Sequence, residues 1–116
     1  MTREELVAYC LDKPGAWPDE PWEGDVVVVK VAEKIFAFLG SPDGTTIGLK
    51  CGADRDTADE WLARFPGDAA AMAYLGRSGW NTMTVGASIP DDELLEAVDA
   101  SYATVVSKLP KSRRPV

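Results

Sequence analysis

The sequence predicts an α+β domain: an antiparallel sheet of about five strands with three helices, in the order α-β-β-β-α-β-β-α. Three observations carry this expectation. Residues 26–51 read as three short strands, because Val26-Val27-Val28-Val29-Lys30-Val31 is β-branched and Ile47, Leu49 and Cys51 alternate with Thr46, Gly48 and Lys50. Three other stretches place apolar residues at helical spacing. Between the last two, Gly76-Arg77-Ser78-Gly79 reads as a tight turn joining a second hairpin.

Taken in order, Thr2 followed by Glu5 matches a capping box and opens a helix over residues 3–12, with Leu6, Val7, Cys10 and Leu11 on one face. Lys13-Pro14-Gly15 ends it. Residues 16–25 are proline-rich and aperiodic, and read as a loop in which Trp17 and Trp22 either cover an end of the core or form a rim for a ligand or partner. Ala32-Glu33-Lys34 reverses the chain into a returning strand over 35–39, and Ser41-Pro42-Asp43-Gly44 turns it into the third strand. Asp54, Asp56 and Thr57 offer N-caps for a second helix, whose face is Ala58, Trp61, Leu62 and Phe65. Residues 71–75 and 80–85 are expected to pair. Trp80, Thr82 and Thr84 would share one face, and Asn81, Met83 and Val85 the other. Pro90 opens the last helix, whose stripe is Leu94, Val98, Tyr102, Val105 and Leu109. Pro110 stops it. The expected organisation is one domain over 1–110 and a mobile basic tail over 111–116.

Composition excludes more than it selects. No apolar run reaches the roughly 20 residues of a membrane helix, and the amino terminus carries no apolar signal core, so the cytosol is the expected location. There is no histidine, which removes the commonest general base and zinc ligand. Cys10 and Cys51 are too far apart for a CxxC motif and read as reduced thiols in apolar surroundings. No glycine-rich phosphate-binding motif is present. The acids near the start of the second helix complement its dipole, and their spacing matches no calcium loop. The expectation is therefore a protein with no enzymatic activity, catalytic residue, cofactor or metal site. A net charge of -7 opposes a simple nucleic-acid binder. Its distribution is uneven, however: residues 90–107 hold five acids and no base, whereas 108–116 hold four bases and no acid.

In order and spacing the chain resembles the MmcQ/YjbR family of small bacterial proteins. The resemblance runs from Pro14-Gly15 through Lys34-Ile35-Phe36-Ala37, Leu49-Lys50-Cys51 and Phe65-Pro66-Gly67 to Trp80-Asn81-Thr82. It continues through Pro90-Asp91-Asp92-Glu93-Leu94, Ser101-Tyr102 and Leu109-Pro110-Lys111. It implies a frataxin-like fold, also called a double wing, and the label "DNA-binding", which rests on likeness of fold. Family members usually carry His directly before the Trp-Asn-Thr; here that place is Gly79, with Arg77 supplying a cation nearby.

Three functions follow as expectations. Duplex DNA would meet the sheet face and hairpins through Lys30, Lys34, Lys50 and Arg77, with Lys111, Arg113 and Arg114 as an arm. Alternatively, Trp80 and Asn81, with Trp17 or Trp22 at the edge, would form a surface for a protein or small molecule, with no nucleic-acid role. The frataxin likeness adds a carboxylate-rich helical surface that attracts iron or a basic partner. A monomer is expected.

Overall fold

The computed structural model of the protein describes residues 1–20, 27–40 and 44–115. Trp22, Val26 and residues 41–43 of the expected turn lie outside the described residues. Helix α1 (Arg3–Leu11) starts at the capping box: the Thr2 hydroxyl accepts the Glu5 N–H at 3.1 Å, and the Glu5 carboxylate accepts the Thr2 N–H at 3.0 Å. Strand β1 (Ala16–Asp19) follows where a loop was expected, pairing Trp17 with Lys30 and Asp19 with Val28 of β2 (Val27–Val31). Pro18 obscured it in the sequence. Proline cannot donate to a ladder, but β1 is an edge strand with one neighbour, so one side needs no donor.

The meander is β2, β3 (Lys34–Gly40) and β4 (Thr46–Lys50). Ala32 and Glu33 make the first reversal, with Ala32 at φ 53°. Asp54 caps α2 (Arg55–Arg64) by accepting the Thr57 N–H at 3.0 Å. Strand β5 is Ala69–Ala71, earlier and shorter than expected. The chain then leaves the sheet, passes Tyr74 at φ 65° and a 3-10 turn at Gly76–Ser78, and returns as β6 (Trp80–Thr84). Helix α3 (Asp91–Ser107) follows. The six strands, one more than expected, lie in the order β1-β2-β3-β4-β6-β5 with antiparallel neighbours.

All three helices cover one face of the sheet, where Leu6 and Cys10 of α1, Ala58 of α2 and Leu94, Val98 and Val105 of α3 join Val29, Phe36, Leu49 and Met83 in a single core. Each such side chain removed from water contributes about 1.5–3 kcal/mol. Val28 and Trp80 are buried on the opposite face.

The tail packs back where a free arm was expected. The Arg114 guanidinium donates to the Leu109 and Ser107 carbonyls, both at 2.9 Å, satisfying acceptors that the end of α3 leaves open. Arg113 pairs with Glu33 at 2.6 Å, and the Pro115 ring lies against Gly15. No helix among the described residues is long and apolar enough to cross a membrane.

Candidate functional site

The site forms where β3 and β4 part. Their ladder consists of Ala37 opposite Leu49 and Phe38 opposite Gly48. Toward the start of β3, the register with β2 passes from Val29–Ala37 to Lys30–Ile35, leaving Phe36 as the extra residue of a bulge. The Phe36 carbonyl and the Lys50 N–H therefore do not meet directly. Ser101 of α3 stands between them: its hydroxyl donates to Phe36 O at 2.6 Å and accepts the Lys50 N–H at 2.9 Å. A buried side chain thus completes two backbone groups that would otherwise lack partners.

Beyond that wedge the strands diverge and leave a pocket of about 270 Å³, lined by Lys34, Ile35, Lys50, Trp80, Val105 and Lys108. Val105 of α3 and its C-cap residue Lys108 lie four and seven residues after Ser101, the spacing that keeps them on its side of the helix, so the residue that opens the fork also aligns two of the lining residues. Trp80 stands opposite Lys50 in the β4–β6 register, and its ring meets Phe38 edge-on with centroids 5.2 Å apart.

Lys50 is the exceptional residue. It is only 6% exposed, and its ammonium donates to the Ser78 carbonyl of the 3-10 turn. Among the described residues, no ion pair reaches it and no carboxylate lines the pocket. Burial, and then the positive charge of Lys108, hold its pKa below the ordinary lysine value. A lysine is rarely buried without a carboxylate partner.

The turn that supplies the Ser78 carbonyl is held from two sides. Arg55 of α2 donates to Gly76 O at 3.0 Å and to Asn81 Oδ1 at 2.5 Å, while its Nε pairs with Asp59 at 2.7 Å. Gly79, at φ 90°, brings β6 against β4, and its carbonyl accepts the Cys51 N–H at 2.7 Å. A Cβ there would sit 2.3 Å from Gly52 O. The position that carries His in the resembled pattern is therefore reserved for glycine by this backbone.

The residues singled out from sequence separate into groups. Lys34 and Lys50 come together with Trp80 in the pocket. Lys30 does not join them: Asp19 pairs with it at 2.7 Å, and its ammonium lies 5.3 Å from the centre of the Trp17 ring. Trp17, 41% exposed, donates from Nε1 to Ala32 O at 2.8 Å, outside the pocket lining. Asn81 is fully buried on the helix side, with its Nδ2 donating to Ala58 O at 2.9 Å, so it forms no part of a recognition surface. Arg113 is neutralised by Glu33, and Arg114 caps α3. Arg77 and Lys111 are exposed and outside the pocket. Trp22 lies outside the described residues.

Sequence reasoning missed Lys108 as a site residue. The i, i+4, i+7 spacing of Ser101, Val105 and Lys108 was the available signal. Among the described residues, no three His, Cys, Asp or Glu side chains gather as a metal site.

Comparison with known proteins matches this architecture. The YjbR family model matches residues 11–104. The YjbR protein of Escherichia coli K12 is 30% identical over 115 residues, covering 98% of this chain and 95% of that one. The crystal structure of a Deinococcus radiodurans DUF419 protein superposes with a TM-score of 0.83 at 24% identity, covering 97% of this chain and 84% of that one. A Pseudomonas syringae structure gives 0.71 at 18% identity, covering 90% and 98%. The shared order of elements and the family match over most of the length agree: this chain belongs to the YjbR family.

Proposed function

We propose that the protein is a non-enzymatic binding module that takes a small anionic ligand in the pocket between β3, β4 and α3. One observation carries the reading: the buried Lys50 lines a pocket together with Lys34 and Lys108, with no carboxylate in that lining among the described residues. Such an arrangement is costly in the empty protein and is relieved when an anion enters. Trp80, Ile35 and Val105 add an apolar wall, which suits an organic ligand better than a bare ion. Calorimetric titration with phenyl phosphate and with benzoate tests it. Binding of at least one anion is expected, with loss of that binding in Lys50→Met, which keeps the side-chain volume and removes the charge. No binding of either anion, or binding that Lys50→Met leaves intact, overturns the reading.

A second reading, duplex DNA, is favoured by Lys34, Arg77 and Lys111, which are exposed and have no carboxylate partner among the described residues. The pairing of Lys30 with Asp19 and of Arg113 with Glu33 weakens it. Titration with random-sequence duplex decides it: phosphate contacts require binding at low salt that declines steeply as salt rises.

A further inference from the structure

The pocket selects its ligand by charge and size. We infer that the ligand is a compact dianion on a small apolar frame, an organic phosphate monoester or a dicarboxylate; this rests on the proposed anion site and narrows it. Three lysines border the space from three places in the fold: Lys34 from β3, Lys50 from β4 and Lys108 from the C-cap of α3. The remaining lining is Ile35, Trp80 and Val105, so among the described residues no lining side chain offsets the cations. The nearest acid in sequence, Glu33, is engaged by Arg113. The Lys50 ammonium donates to Ser78 O, and an ammonium has three N–H groups, so two remain for an incoming anion. A single negative charge leaves most of this field unbalanced, whereas two match it more closely, with Lys50 buried and Lys34 and Lys108 exposed at its border.

Size narrows the class again. A volume of about 270 Å³ corresponds to about nine waters at their liquid volume. That admits a single ring or a short aliphatic chain with its charged group, and lies at the small end of the range for ligand pockets. The apolar residues share this volume with the cations, so the uncharged part of the ligand is placed against Trp80, Ile35 and Val105 while its charge faces the lysines.

The test compares phenyl phosphate, phthalate, benzoate and benzyl alcohol by calorimetry near neutral pH. Dianions are expected to bind at least tenfold more tightly than benzoate, and benzyl alcohol not at all. The two dianions distinguish the sources: preference for phenyl phosphate assigns a phosphate ester, and preference for phthalate a dicarboxylate. Lys108→Met, a change at an exposed position, should shrink the advantage of phenyl phosphate over benzoate to within about threefold. Lowering the pH about one unit below the second ionisation of the ester, about 6, should do the same to the wild-type protein. Equal affinity for benzoate and the dianions overturns the dianion inference and leaves the anion site standing. Failure of every anion overturns both.

Discussion

Gly79 illustrates how one residue fixes a local geometry. Its φ of 90° and its contact with Gly52 exclude any side chain. Gly79→Ala should lower stability by at least about 2 kcal/mol, because the alanine must either hold a left-handed backbone or push β4 and β6 apart. Urea denaturation followed by circular dichroism measures it; an unchanged midpoint would show that the turn relaxes freely. Gly79→His should behave no better, so restoring the histidine of the resembled pattern does not restore its setting. The cysteines were readable as apolar packing residues. Both are free and buried, and burial pushes the Cys10 thiol up to about 12 and the Cys51 thiol up to about 11, so neither is a ready nucleophile. Asn81 was legible as facing opposite Trp80 but not as buried, because its partners Arg55 and Ala58 lie more than 20 residues away.

At the scale of elements, the pocket exists because a helix replaces part of a strand pairing. Ser101 supplies through its hydroxyl what Phe36 and Lys50 would otherwise supply to each other. Ser101→Ala should therefore cost about 2–4 kcal/mol, two buried backbone groups losing their partner at once. It should also speed hydrogen exchange at the Lys50 amide ahead of the rest of β4. Uniform exchange along β4 would mean that the strands close without the wedge. Helix boundaries were legible because caps act within a few residues: Thr2 with Glu5, and Asp54 with Thr57. Strand β1 was not, because an edge strand is licensed by the neighbour it finds, here β2, and carries a proline that argues against pairing when read alone.

Across the whole molecule, charge is arranged by pairing between distant elements. Lys13, at the end of α1, reaches Asp99 of α3, which also accepts the Tyr9 hydroxyl at 2.7 Å. Partial burial raises the Asp99 pKa, but the hydrogen bonds from Lys13 and Tyr9 outweigh it and hold the carboxyl below its ordinary value of 3.8. A depressed carboxyl contributes stability that is present above its unfolded pKa and is lost as pH falls through the folded value. Acid titration should thus destabilise the wild-type protein below about pH 4, and Asp99→Asn should be less stable at neutral pH with a shallower acid limb. Parallel limbs for the two proteins would remove Asp99 from the acid response. Solubility should pass through a minimum near the isoelectric point of 4.5, where the net charge of -7 has been titrated away.

The sequence by itself determined the α+β class, the three helices, the central meander and the family, since periodicity, caps and motif order are local or linear properties. It also exposed the raw materials of the site, Lys34, Lys50 and Trp80. Only the tertiary structure decided that β3 and β4 part around Ser101, that Lys108 joins the pocket, and that Lys30 and Arg113 are neutralised. Those outcomes depend on which side chains meet across 11 to 80 residues of chain, and are fixed by packing and register. One-dimensional spacing cannot encode how far two neighbouring strands diverge, and that divergence gives the pocket its room.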